Sequence, residues 1–170
     1  MQPCSGIWQT VSLESVPSTE HVTNVDIRAE ADGSVNATIA TSNGDSQTPV
    51  TLQFHDPKNN RRIVYTTLGK ANRPFQFKVK RPQLWSPESP NLYDITVKVG
   101  RDEVKSYTGF RTVEHKTIKG VPRFVLNGKP VFQFGPLDQG YWPDGLYTPP
   151  SYDAMVFDLK YIKNLGMNTR

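Results

Sequence analysis

Between Val25 and Val99 apolar residues recur at every second position, and no other feature of this chain restricts its fold as tightly. The runs are Val25/Ile27/Ala29, Val35/Ala37/Ile39, Val50/Leu52/Phe54, Phe75/Phe77/Val79 and Tyr93/Ile95/Val97/Val99. Side chains of an extended strand point alternately to its two faces, so each run has one apolar and one polar face. The apolar faces must be covered by other strands. Residues 61–67 and 103–110 are weaker strand candidates, and Asp32-Gly33, Asn43-Gly44, Asn59-Asn60, Gly69 and Gly100 supply turn conformations between runs.

Seven short strands over roughly a hundred residues, with no long amphipathic helix among them, predict an antiparallel two-sheet sandwich of immunoglobulin-like architecture. The Cys…Trp…Cys arrangement of antibody domains is absent, so the likeness is one of architecture. At 170 residues the chain has room for one such domain and part of a second. Its single cysteine, Cys4, excludes an internal disulfide framework, and His21, His55 and His115 are too dispersed for a zinc cluster. No metal and no cofactor are expected. The N-terminus lacks a basic stretch followed by an apolar one, and no run of about 18 apolar residues occurs. The expectation is a chain without an export signal of its own, off the membrane and cytoplasmic by default. Asn36-Ala37-Thr38 is a glycosylation sequon, used only in a secreted protein.

A net charge of +4 is mild but unevenly spread. Lys58, Arg61, Arg62, Lys70, Arg73, Lys78, Lys80 and Arg81 lie between Pro57 and Pro87 with no acid among them, which raises a nucleic-acid reading. The alternation of Phe75, Phe77 and Val79 with Gln76, Lys78 and Lys80 favours the solvated face of a half-buried strand, and no nucleic-acid partner is expected.

The pattern changes after Gly120. Arg123–Leu126, Asn127-Gly128 and Lys129–Phe134 read as strand, two-residue type I′ turn and strand. A loop rich in Pro, Gly and aromatics fills 135–150. Ser151 is a plausible N-cap of a helix with Asp153 in its first turn. Tyr152, Met155, Val156, Leu159 and Ile162 form its apolar stripe, Lys160 and Lys163 suit its C-terminal end, and Gly166 stops it. Met167–Thr169 then begins another strand. Strand, loop, helix, glycine, strand is how a parallel β/α architecture opens, and one such unit cannot close a barrel of about 250 residues.

These segments resemble glycoside hydrolase family 2, whose members include β-galactosidases, β-glucuronidases and β-mannosidases. Ser5-Gly-Ile-Trp-Gln-Thr-Val-Ser-Leu-Glu14 is similar to the last strand of that family's N-terminal sugar-binding jelly-roll. Leu84-Trp-Ser-Pro-Glu-Ser-Pro-Asn-Leu-Tyr-Asp-Ile-Thr-Val97 resembles the Trp-x-Pro…Pro-x-Leu-Tyr segment of its Ig-like domain. Gly109-Phe-Arg111, then Phe124-Val-Leu-Asn-Gly-Lys-Pro-Val131 and Asp158…Asn168, resemble the entry into its catalytic barrel. The resemblance implies a mainly β chain: an Ig-like antiparallel β-sandwich followed by a truncated β/α (TIM-barrel) start. It divides the chain into a jelly-roll strand remnant (1–16), the sandwich (17–114) and a first β-α unit (115–170).

Two segments depart from the family pattern. Gly135-Pro-Leu-Asp138-Gln139-Gly140 stands where galactosidase-like members carry Gly-x-Asn-x-His, so galactoside specificity is not implied; Asn168-Thr-Arg170 is one residue shorter than the family's Asn-x-x-Arg.

Retaining glycosidases use two carboxyl groups about 5–5.5 Å apart. The resemblance implies two glutamates on later barrel strands, and this chain has no glutamate after Glu114. No catalytic residue is therefore assigned within it. Asp153 and Asp158 are five apart on the expected helix and read as solvated or capping charges. The candidate sugar contacts are Asp138, Gln139, Tyr141 and Trp142, in the loop after the first barrel strand, with Asp144 beside them. Aromatic rings stack on apolar C–H faces and carboxylates accept from hydroxyls. Equally open is that Tyr141 and Trp142 pack the loop against the barrel bottom or the sandwich. For Trp8 and Trp85 a packing role is expected. The functional expectation is a glycosidase fragment, inactive alone, whose partner in the full-length enzyme is a carbohydrate. The alternative is a non-catalytic carbohydrate-binding or interaction module.

Overall fold

A computed structural model describes residues 5–7 and 9–169, so Cys4, Trp8 and Arg170 lie outside the described residues. The chain separates into two compact units, one spanning Ser15–Val131 and the other formed by the first fourteen residues with Phe132–Arg170.

The larger unit carries seven strands in two sheets: β1 (Val22–Ala29), β2 (Ser34–Thr41), β3 (Pro49–Asp56), β4 (Asn59–Lys70), β5 (Phe75–Lys78), β6 (Tyr93–Val99) and β7 (Asp102–Thr108). The sheets have the orders β1-β2-β5 and β4-β3-β6-β7, and every ladder is antiparallel. This is the sandwich that the alternation demanded. Ala37, Ile39, Val50, Leu52, Phe54, Val97, Val99 and Phe110 are all 0% exposed. Phe54 meets Phe77 edge-on at 5.7 Å and Tyr93 meets Phe110 likewise at 5.0 Å, so the core is aromatic at its centre. Tyr93 is buried, which pushes its hydroxyl pKa up, and that oxygen accepts from the Gln83 backbone N–H at 2.7 Å.

A third small sheet, in the order β10-β9-β8, joins β8 (Val113–Ile118), β9 (Val121–Leu126) and β10 (Lys129–Pro130). Strand β8 was not anticipated, because Val113–Ile118 mixes charged and apolar residues without alternation. The turn into β9 has Lys119 and Gly120 at φ 52° and 77°, and Asn127-Gly128 has φ 50° and 77°, the left-handed pair of a type I′ turn. The expected strand Lys129–Phe134 shortens to Lys129–Pro130, followed by one further bond from the Val131 N–H to the Phe124 carbonyl. Pro130 and Pro122 both lack an N–H, so the ladder runs out of donors.

Two turn readings need correction. Gly69 lies within β4, where a Cβ would fall 2.4 Å from the Phe75 ring, so the glycine serves close approach, not a turn. Asn59 and Asn60 begin β4, and the reversal is made by Pro57 and Lys58 before them.

In the smaller unit, α1 (Tyr152–Asn164) is built as its sequence predicts. The Ser151 Oγ accepts from the Ala154 N–H at 3.1 Å. Gly166 (φ 83°) donates to Lys163 and Met167 donates to Ile162, the paired bonds that close a helix on a left-handed glycine. No residue of α1 is buried: Tyr152, Phe157, Leu159 and Tyr161 are all more than half exposed. Residues 5–7 and 9–14 hold no strand, and Met167–Thr169 belong to no strand either. No described helix is long and apolar enough to cross a membrane.

Candidate functional site

The sequence-predicted contacts Asp138, Gln139, Tyr141 and Trp142 share one loop, and the local hydrogen bonds explain its shape. The Asp138 carboxylate accepts from the Gly140 N–H at 2.8 Å, with Gly140 at φ 69°. Trp142 and Leu146 then exchange both backbone bonds, at 2.7 and 3.2 Å, closing a tight hairpin over Pro143-Asp144-Gly145. The Thr148 N–H donates to the Gly145 carbonyl at 2.8 Å, and a Cβ on Gly145 would collide with the Thr148 carbonyl. Across the hairpin Tyr141 and Tyr147 meet edge to face at 4.8 Å.

The loop is thus a self-packed element with exposed polar groups. Asp138, Gln139, Tyr141 and Asp144 are exposed and Trp142 is half-buried. Such an element presents an aromatic edge, an amide and carboxylates on one short segment. Among the described residues no group of His, Cys, Asp and Glu could hold a metal ion.

The other motif residues converge on a different place and do a different job. The Trp85 N–H donates to the Phe110 carbonyl at 2.9 Å, and Leu84 bridges to Phe110. The Arg111 guanidinium lies 4.8 Å above the Trp85 ring, and a Cβ on Gly109 would stand 3.1 Å from the Trp85 Cβ. The Asn127 side chain accepts from the Thr112 N–H at 3.0 Å and donates to the Trp85 carbonyl at 2.9 Å. The Asn91 amide donates to the Leu84 carbonyl at 2.9 Å. Three segments far apart in sequence, 84–91, 109–112 and Asn127, are clamped around one indole. The sequence marks Asn127 as a turn residue within the family-like Leu-Asn-Gly-Lys-Pro motif; nothing local to Asn127 shows that its side chain is a cross-link.

The long basic stretch does not form one patch. Arg61 and Arg62 lie at the start of the twelve-residue strand β4 and Lys58 in the turn before it, while Lys70 and Arg73 lie at or beyond its far end. Lys78 is paired with Asp32 at 3.0 Å and Arg62 with Asp56 at 3.7 Å.

The family model of glycosyl hydrolases family 2 matches residues 19–111, which is the sandwich. The chain is 36% identical over 119 residues to a putative β-glucuronidase of Formosa agariphila, covering 64% of this chain and 11% of that protein. It is 31% identical over 142 residues to the β-galactosidase large subunit of Leuconostoc lactis, covering 73% of this chain and 22% of that one. Among solved structures, Ruminococcus gnavus β-glucuronidase shares the fold with a TM-score of 0.73 at 22% identity, over 88% of this chain and 24% of its own. With more than half of its residues matched by the family model, and with its sandwich in place, this chain belongs to glycosyl hydrolases family 2.

Proposed function

We propose that this chain is the Ig-like portion of an enzyme that hydrolyses O-glycosyl bonds, with residues 115–170 opening its catalytic barrel. The observation that carries the reading is the family match over residues 19–111, together with relatives named as β-glucuronidase and β-galactosidase of which the chain spans only 11% and 22%.

The smaller unit supports the barrel reading. Phe134 accepts from the N–H groups of Asn168 and Thr169 at 2.9 and 3.2 Å, and donates to the Asn168 side chain at 2.8 Å. The chain leaves Phe134, crosses the hairpin loop and α1, and returns beside its starting point, as a β/α unit does. Under this reading Asp138, Gln139, Tyr141 and Trp142 sit where such barrels carry substrate contacts, and the two catalytic glutamates come from outside these residues. The bare apolar surface of α1 is then the face that later barrel strands cover.

The test is turnover of aryl β-galactoside, β-glucuronide and β-mannoside by the purified chain, with none expected; measurable hydrolysis overturns the assignment of catalysis elsewhere. The transcript around this reading frame tests the lineage: an in-frame barrel with two glutamates is expected. A transcript without one favours the second reading, a non-catalytic carbohydrate-binding module, which the self-contained core of the seven-strand sandwich supports.

A further inference from the structure

An asparagine followed by glycine is open to attack by its own backbone, because without a Cβ the glycine nitrogen can close on the asparagine Cγ. The chain contains two such pairs, Asn43-Gly44 and Asn127-Gly128, and the tertiary structure treats them differently. The Asn127 side chain is half-buried and held at both ends: its oxygen accepts from the Thr112 N–H at 3.0 Å and its nitrogen donates to the Trp85 carbonyl at 2.9 Å. Ring closure there requires the amide to leave both partners. Asn43 stands exposed in the turn between β2 and β3, with its amide nitrogen bonded to none of the described residues.

The Asn43 oxygen accepts twice, from the Asp45 N–H at 3.0 Å and from the Thr41 hydroxyl at 3.1 Å. These donors face the atom on which negative charge gathers when a nucleophile adds to Cγ, so they serve as a small oxyanion hole. The Gly44 N–H is engaged only by a long bond to the Thr41 carbonyl, at 3.3 Å, and a Cβ on Gly44 would meet nothing within 4 Å. We propose that Asn43 is a self-modification site of the folded chain, converted through a succinimide to aspartate and isoaspartate, while the cross-link protects Asn127. The Gly44 nitrogen, its proton taken by hydroxide, bonds to Asn43 Cγ; the Cγ–Nδ2 bond breaks and ammonia leaves with a proton from water. Water then opens the ring, with no change of oxidation state. Attack at the side-chain carbonyl gives aspartate, which keeps an acceptor for Asp45 and Thr41. Attack at the main-chain carbonyl gives isoaspartate, which routes the backbone through the side chain and takes that acceptor away. Asn72 donates to the same Thr41 hydroxyl at 2.9 Å, so the isoaspartyl form also loosens the hold of Asn72 on the turn. The site is independent of where catalysis resides.

The experiment incubates the full chain at mildly alkaline pH, where the Gly44 amide loses its proton more readily, and follows each Asn-Gly peptide by mass spectrometry with chromatographic separation of the aspartyl and isoaspartyl forms. Conversion at Asn43 is expected to run at least about tenfold faster than at Asn127, whose amide must first break two hydrogen bonds. In concentrated urea the two sites should react at similar rates, because the cross-link is gone. Asn43→Ser should abolish the fast conversion and leave the slow one at Asn127 in place. Asn127 reacting as fast as Asn43 in the folded chain, or the same ratio of rates persisting in urea, overturns the proposal.

Discussion

Individual residues in this chain matter most where one side chain serves several segments. Asn72, at φ 56°, accepts from the Thr41 N–H at 2.9 Å and donates to the Thr41 hydroxyl and the Asp45 carbonyl, each at 2.9 Å. Asn72→Ala strands a part-buried donor and keeps the left-handed backbone, so it should cost about 2–3 kcal/mol in urea denaturation. Gly69→Ala should cost about 1–3 kcal/mol by driving the Phe75 ring off β4, and a loss under about 0.5 kcal/mol would show that the ring moves freely. Asp32 titrates at about 2 instead of 3.8, held down first by the Ser34 N–H and then by Lys78 and the Ser34 hydroxyl. A carboxyl more acidic in the folded than in the unfolded chain stabilises the fold above pH 3.8, and the contribution is lost as pH falls toward about 2. Lys78→Met should raise the midpoint seen by NMR only part of the way, since the larger contribution, the Ser34 backbone, remains.

At the scale of elements, the strands and the helix rest on different supports. The central strands β2, β3 and β6 are held by ladder bonds and a buried face, whereas α1 has a cap at each end and no buried residue. Its stability comes from local interactions, which for about a dozen residues are marginal. Amide exchange should therefore be orders of magnitude faster in α1 than in β3 and β6, and Ser151→Ala, costing about 1 kcal/mol, should accelerate it further. Strand β8 shows why local pattern fails for short hairpins. Only Val125 of its partner β9 is fully buried, so no apolar alternation marks the pair, and its register comes from the turn at Lys119-Gly120. Placing Asn at Lys119, which holds φ 52° there, should stabilise the hairpin by about 0.5–1 kcal/mol.

For the whole molecule, net charge is less informative than where the charges sit. The eight cations between Pro57 and Pro87 look like a nucleic-acid footprint in one dimension. In three dimensions the twelve residues of β4, rising about 3.3 Å each, hold its two basic ends far apart. A heparin column should release the chain at low salt; retention beyond about 0.2 M would require a continuous basic surface that these positions do not form.

The sequence by itself determined the sandwich, its buried faces and both ends of α1, because period-two alternation, Ser151 and Gly166 act through local geometry. It also carried the family resemblance, through Leu84–Tyr93, Gly109–Arg111 and Leu126–Pro130. Only the tertiary structure decided what those motif residues do. Trp85, Gly109, Arg111 and Asn127 are gathered around one indole by strands distant in sequence, and Tyr141 is turned onto Tyr147 by a hairpin set by the Trp142–Leu146 bonds. Periodicity reports which face a side chain occupies; which partner it meets depends on strand order, and strand order is not local.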